Sequence, residues 1–260
     1  MLTHLKELYR YRDLLFTLAA RDIKVRYRQT FLGVAWALMQ PLAYMLIFTV
    51  VFSSFGRVSS DGMPYPLFSY TGLVPWTFFA TALGLAVNSI AANMSLVKKI
   101  YFPREVFPMG AILGCFMDFL IASMLVAALM VIYHVPVSWH FVWLPWLIGL
   151  ELAFLLGMGL LAGALNVFYR DVKYIVPLCV QLGLFVTPVI YSTSEVPASL
   201  RAWYLLNPMA VVIDGMRRVI LHGQPPQLGA LMTSTVLVGL FVLLSYAYFK
   251  RVEVKFADLI

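Results

Sequence analysis

Six stretches of this sequence, 34–55, 67–92, 106–133, 141–168, 174–191 and 228–249, carry only two charged side chains between them, Asp118 and Glu151. All but 174–191 exceed the roughly 18 apolar residues that mark a membrane crossing. Peptide groups cannot stay unpaired in lipid, and a helix pairs them within one segment. The pattern predicts an all-α polytopic membrane protein with six transmembrane helices. A chain 62% hydrophobic and 12% charged is also not an ordinary soluble domain.

The net charge of +7 suggests nucleic acid only if position is ignored. Seven of the 19 Lys and Arg precede Gly33, three lie at 98–104, two at 170–173 and three at 250–255. Cations that alternate with apolar spans follow the positive-inside rule. They place both termini in the cytoplasm, leave short outer loops near 57–62 and 134–140, and exclude a nucleic-acid partner. Cys115 and Cys179 both fall in apolar runs and suit neither a disulfide framework nor a metal site. His134 and His140 flank one outer loop but lack a third ligand. No removable signal peptide is expected.

Residues 1–32 read as an amphipathic interface helix on the cytoplasmic side. At about 100° per residue, Lys6, Arg10, Asp13, Thr17, Arg21, Lys24 and Arg28 share one arc, and Leu5, Leu8, Tyr9, Leu15, Phe16, Ala19 and Ile23 the opposite one. Such a helix lies in the plane of the interface. Arg12, Asp22 and Arg26 interrupt its apolar face. Arg21, Lys24, Arg26 and Arg28 sit where lipid phosphates would be, and guanidinium groups bind phosphate oxygens in pairs. Gly33 allows a change of direction into the transmembrane domain, 33–253, and 254–260 is a cytoplasmic tail.

Residues 192–227 are too polar to cross and too apolar for a plain loop. Segments 197–205 and 208–221 each read as a short helix with proline in its first turn. Asn207 and Pro208 form the break. The pair is expected to enter and leave on the outer side, between spans 5 and 6.

The sequence contains no Gly-x-x-x-x-Gly-Lys-Ser/Thr loop, no His-Glu-x-x-His and no Gly-x-Ser-x-Gly. No catalytic site, metal site or cofactor of its own is expected. At about 1.5 Å per residue, Asp118 lies about 18 Å from the inner end of span 3 and Glu151 about 15 Å from the outer end of span 4, with no basic residue at that depth. An intramembrane acid suggests function, here a proton relay. The plainer reading is a protonated or hydrogen-bonded pair that helps helices pack. Tyr44, Phe48 and Phe52 share one side of span 1, and Phe185 and Tyr191 belong to span 5. Such rings pack helices together or offer flat, weakly polar platforms to sugars.

Four features together resemble the membrane subunit of an ABC-2-type exporter, in the branch that moves O-antigen, capsule or teichoic acid polysaccharides. They are Arg-Asp-Ile-Lys-Val-Arg-Tyr-Arg-Gln-Thr-Phe-Leu-Gly-Val-Ala-Trp at 21–36, Gln40 with Pro41, the loop with Lys98, Lys99, Phe102, Pro103, Arg104 and Glu105, and the region around Asn207 and Pro208. The resemblance implies a multi-pass protein of the bacterial cytoplasmic membrane that moves a lipid-linked polysaccharide. It implies a homodimer with separate ATP-binding ABC subunits, which bind the ATP and Mg. It implies a pore between the copies lined largely by spans 1 and 5, hence by Tyr44, Phe48, Phe52, Phe185 and Tyr191. Lys98, Lys99, Ile100, Tyr101, Phe102 and Arg104, with Arg170, Asp171 and Lys173, are then the expected ATPase contacts. An ABC-2 exporter of a small drug or lipid shares this topology. A proton-coupled carrier using Asp118 and Glu151 is the third reading.

Overall fold

The computed structural model describes residues 10–28, 33–54, 59–99 and 102–257. Its helices in chain order are α1 (Arg12–Tyr27), α2 (Trp36–Ser54), α3 (Tyr65–Ala92), α4 (Met94–Lys99), α5 (Val106–Ile132), α6 (Leu144–Phe168), α7 (Val172–Val186), α8 (Ala198–Leu206), α9 (Pro208–Ile220) and α10 (Leu228–Val252). Single 3-10 turns lead into α2 and α6. The described regular elements are all helical.

The centre of the molecule is α3. It is apolar on every side, so it is stable only when surrounded, and α2, α5, α6, α7 and α9 all pack on it. Phe68, Tyr70, Leu73 and Leu83 are fully enclosed there. On α6, two glycines let that helix close on α3. A Cβ on Gly159 would stand 3.0 Å from the Ala86 Cβ, and one on Gly163 3.4 Å from the Ala86 carbonyl. Gly157 faces α10 instead, where an added Cβ would meet the Phe241 ring at 2.8 Å. Small residues do this in lipid because close backbone packing replaces the missing hydrophobic drive between helices.

Among the described residues, four helices are long and apolar enough to cross a membrane: Tyr65–Ala92, Val106–Ile132, Trp139–Phe168 and Leu228–Phe256. The other two expected spans are shorter apolar helices, Trp36–Phe52 and Val172–Val186. The expected span 174–191 is therefore corrected at its far end. Pro188 disfavours helical backbone at the residue before it, and Thr187 is extended with ψ 142. The two short helices expected after it are present, split at Asn207, whose side chain caps α9 by accepting from the Met209 amide at 3.1 Å.

At one end of the bundle, Leu18, Ile90, Phe102, Val106, Phe107, Leu160, Phe249 and Phe256 form one apolar cluster. Beside it Lys250 reaches the Glu105 carboxylate at 2.9 Å and Glu253 at 3.0 Å. The 102–105 loop and the last turns of α10 are thereby clamped together.

α1 runs lengthwise along α5, in the same direction. The surface of α5 is notched by Gly110 and Gly114, which face Leu18 and Ala19, then Ala19, Asp22 and Ile23. The polar arc, Arg10, Asp13, Thr17, Arg21, Lys24 and Arg28, is exposed. The apolar face is rotated from the expected one: Leu18 and Ala19 are buried, while Phe16 is 63% exposed. The turn into α2 uses Gly33 at φ +50, a left-handed backbone that a side chain would strain.

Candidate functional site

The short helices α2 and α7 both pack on α3. Tyr44, Phe48 and Phe52 recur every fourth residue and so rise up one face of α2. Ring centroids are 6.1 Å apart for Tyr44 and Phe48 and 6.0 Å for Phe48 and Phe52. The row continues past the end of α2. Phe52 is 5.9 Å from Tyr65, and Tyr65 is 6.3 Å from Phe68, both on the first turn of α3. Tyr65 then donates its hydroxyl to the Ile190 carbonyl at 2.9 Å. The neighbouring Tyr191 directs its own hydroxyl to the carbonyls of Phe185 and Val186, 3.1 and 3.2 Å away, and to the Tyr204 hydroxyl at 2.7 Å.

The row from α2 thus reaches the backbone beside Tyr191 through the Tyr65 hydroxyl, while the Phe185 and Tyr191 rings make no ring contact with it among the described residues. Tyr44 is 37% and Phe185 59% exposed, while Phe48, Phe52 and Tyr191 are half-buried. Tyr65 and Phe68 extend the row and were missed, because they belong to a different span. Their only signal in the sequence is a Tyr and a Phe three residues apart at the head of the second apolar run.

The row ends on Arg217, which was missed as well. Its guanidinium carbon lies 3.7 Å above the Phe68 ring. It donates to the carbonyls of Pro188 at 2.7 Å, Tyr191 at 3.0 Å and Val189. These carbonyls follow the end of α7, where no further helical turn supplies a donor. Gly72 leaves the space: a Cβ there would stand 2.5 Å from the Arg217 Nη2. Nearby, Ser192 and Ser194 donate to Asp61 and Thr193 to Asp214. The network fixes the short helices to the head of α3.

The depth argument left Asp118 without a basic partner, and the structure corrects it. Arg26 and Tyr27, at the end of α1, both donate to the Asp118 carboxylate, and Arg26 also points at the Cys115 Sγ, 3.3 Å away. This explains why Arg26 interrupts an apolar face: its partner stands on α5. Of the expected head-group residues, Lys24 and Arg28 are exposed, and Arg21, also exposed, bonds Asn93 at 3.1 Å. Arg26 turns inward.

Glu151 is separate from this pair. It is fully buried, and neither carboxyl oxygen has a hydrogen-bond partner among the described residues. Of the protonated or hydrogen-bonded pair expected, the hydrogen-bonded form is absent among the described residues. A charged carboxylate here would cost many kcal/mol, and no described side chain hydrogen-bonds to it. Glu151→Gln is expected to leave assembly and transport within twofold of wild type. Lost transport in a well-assembled Glu151→Gln protein would restore the relay reading.

At the opposite end from Arg217, Met94 of α4 and the exposed Arg170 and Lys173 line one cavity of about 580 Å³, together with Asn88 and Asn166. Asp171 is exposed beside them. Phe102 is corrected: it is 7% exposed and packs on Phe107 with centroids 5.3 Å apart, so it is a core ring and not a surface anchor. Arg104 lies over the Phe256 ring at 5.8 Å. Ile100 and Tyr101, and the side chains of Lys98 and Lys99, lie outside the described residues.

The model of a protein family described as ABC-2 type transporter matches residues 13–221. The chain is 30% identical over 260 residues, 99% of each chain, to the O-antigen export system permease protein RfbA of Myxococcus xanthus. It is 28% identical over 251 residues, 95% of each chain, to the protein of that name from Klebsiella pneumoniae. It is 23% identical to the polysialic acid transport protein KpsM of Escherichia coli over 208 residues, 78% of this chain and 79% of that one.

Proposed function

Because this chain belongs to the ABC-2 type transporter family, we propose that it is the membrane subunit of an ATP-driven exporter that carries a lipid-linked polysaccharide across the bacterial cytoplasmic membrane. The observation that carries the substrate class is likeness over most of both chains to proteins named for O-antigen export and polysialic acid transport. The aromatic row agrees with it. Sugars present apolar CH faces edged by hydroxyls, and uncharged rings with tyrosine hydroxyls at their rim suit a polymer that must slide without resting in one deep well.

In this reading α2 and α7 are crossing helices that a second copy covers. Their outward faces, with Leu46, Ile47 and Val50 on α2 and Leu178, Leu182 and Phe185 on α7, are exposed in the single chain. α8 and α9 form a re-entrant pair: 13 residues of α9 span only about 20 Å, short of the roughly 30 Å hydrocarbon core. The termini face the cytoplasm. The pairing of Asp118 with Arg26 and the isolation of Glu151 speak against the proton-coupled alternative.

The ATP-binding subunit docks at the end where α4 meets the 170–173 loop, because the two loops share one cavity there. The chain alone is expected to hydrolyse no ATP. Charge reversal at two exposed points, Arg170→Glu with Lys173→Glu, is expected to reduce capture of the ATPase at least tenfold while leaving the fold intact. Unchanged capture would move the docking site elsewhere. A strain lacking this chain is expected to lose its surface polysaccharide and to regain it on re-expression; unaltered surface polysaccharide would sink the exporter reading itself.

A further inference from the structure

Behind the N-terminal helix lies a cavity of about 510 Å³, walled by α1, α2, α3 and α5. Its polar lining is Arg26, Tyr27, Gln40, Thr77, Thr81 and Asp118. Trp36 and Met39, which also line it, are 55% and 44% exposed, so its rim faces outward from the bundle. The volume falls within the range of about 300–1,000 Å³ that holds small ligands. It is too small for an extended polymer and suits the head of one.

We propose that this cavity is a binding site for the phosphate ester of a membrane lipid carrier, in which Arg26 is the phosphate ligand and Asp118 holds its place when the site is empty. The inference rests on the exporter reading above and adds where the lipid end of the substrate is held.

The argument starts from cost. A lone guanidinium at this depth, about 18 Å along α5 from Val106, would be expensive. Asp118 removes that cost, so the empty site stays folded. The ion pair also occupies only part of the arginine. A guanidinium carries five N–H donors in a planar fork, and here Nη1 meets Asp118 and Nη2 meets Cys115. Phosphate oxygens accept the same fork in pairs and carry charge of the same sign as Asp118. A phosphate can therefore share or take over the guanidinium, while Tyr27 still donates to the carboxylate it leaves.

The remaining wall fits an ester rather than a free ion. Pro41 lines the cavity together with Ala37, four residues before it. A proline has no N–H for the carbonyl one turn back, so the Ala37 carbonyl is an acceptor for a ligand hydroxyl. The Gln40 amide adjoins it, and the Trp36 indole offers a flat apolar face for a sugar ring or an unsaturated chain. This gives the Gln40 and Pro41 pair a role that the aromatic row does not use.

The test places the full-length chain in phosphatidylcholine nanodiscs with a photoreactive polyprenyl phosphate or, separately, a photoreactive phosphatidylglycerol. The polyprenyl probe is expected to label peptides holding Trp36, Gln40 or Thr81. Phosphatidylglycerol is expected to label the exposed arc of Arg21, Lys24 and Arg28. Arg26→Ala should reduce cavity labelling about tenfold, the effect of losing one charge-assisted pair. Arg26→Lys keeps the charge and the ion pair but not the fork, and should lose about as much. Asp118→Asn removes the competitor and should raise labelling severalfold. Wild-type labelling in a folded Arg26→Lys protein would overturn the site, as would equal cavity labelling by phosphatidylglycerol. Failure of the site with export intact leaves the exporter reading standing. Absence of export with cavity labelling intact removes that reading and keeps the site.

Discussion

Replacing Arg217 with methionine is expected to cut the recovery of folded protein severely and to destabilise what is recovered. The methionine fills most of the volume but offers nothing to the carbonyls of Pro188, Val189 and Tyr191, which all accept from Arg217. Each buried carbonyl left without a donor costs roughly 1–3 kcal/mol, and the loss of the guanidinium over Phe68 adds to that. The sum is comparable with the whole stability of a typical domain. Arg217→Lys should be intermediate, because the ammonium keeps three donors but has a shorter reach and no planar face to lie over Phe68. Gly72→Ala attacks the same point from the other side: its Cβ would lie 2.5 Å from the Arg217 Nη2 and 2.7 Å from the Val189 carbonyl. Both Arg217→Met and Gly72→Ala should therefore lower the yield of monodisperse protein in detergent and its thermal midpoint by many degrees. A midpoint within about 2–3 °C of wild type in the methionine variant, about 1 kcal/mol for a chain of this size, would show that the bracket is dispensable.

The second large effect concerns transport with the fold preserved. Tyr44, Phe48 and Phe52 are to be replaced together by leucine, not alanine, because Phe48 and Phe52 pack against the core. Leucine keeps most of the volume and the apolar character, so the complex should assemble and hydrolyse ATP at near the wild-type rate. What it lacks is the flat ring. Surface polysaccharide is expected to fall by tenfold or more, and Tyr191→Phe, which removes a hydroxyl bonded to Tyr204 at 2.7 Å, should produce a smaller loss. A triple leucine variant that exports normally would show that the aromatic row packs helices and does not guide sugar. Loss of assembly in that variant would place these rings inside the fold rather than along the path.

The two tests differ in what the sequence allowed one to foresee. Tyr44, Phe48 and Phe52 were legible because they sit on one helix at a four-residue spacing, and a helix maps spacing onto a face. Arg217 was not. Nothing in the stretch around it points to carbonyls some 26–29 residues earlier. Arg26 shows the same limit in a sharper form. Its place on the apolar face of α1 looked like an interruption, and its partner is 92 residues away on α5.

What the sequence by itself determined follows from local and one-dimensional physics. Long apolar runs must be helices where water is absent. Charges cluster where the chain leaves the lipid. Proline and glycine mark the breaks, at Gly33 and at Asn207 with Pro208. What only the tertiary structure decided is which residues meet. It turned Arg26 inward to Asp118, buried Phe102 beside Phe107, extended the aromatic row through Tyr65 and Phe68, and left Glu151 without a hydrogen-bond partner among the described residues. These outcomes depend on helices that approach at particular heights and rotations, set by small notches such as Gly72, Gly110 and Gly159. A notch works only through the side chain that enters it, and that side chain lies far along the chain.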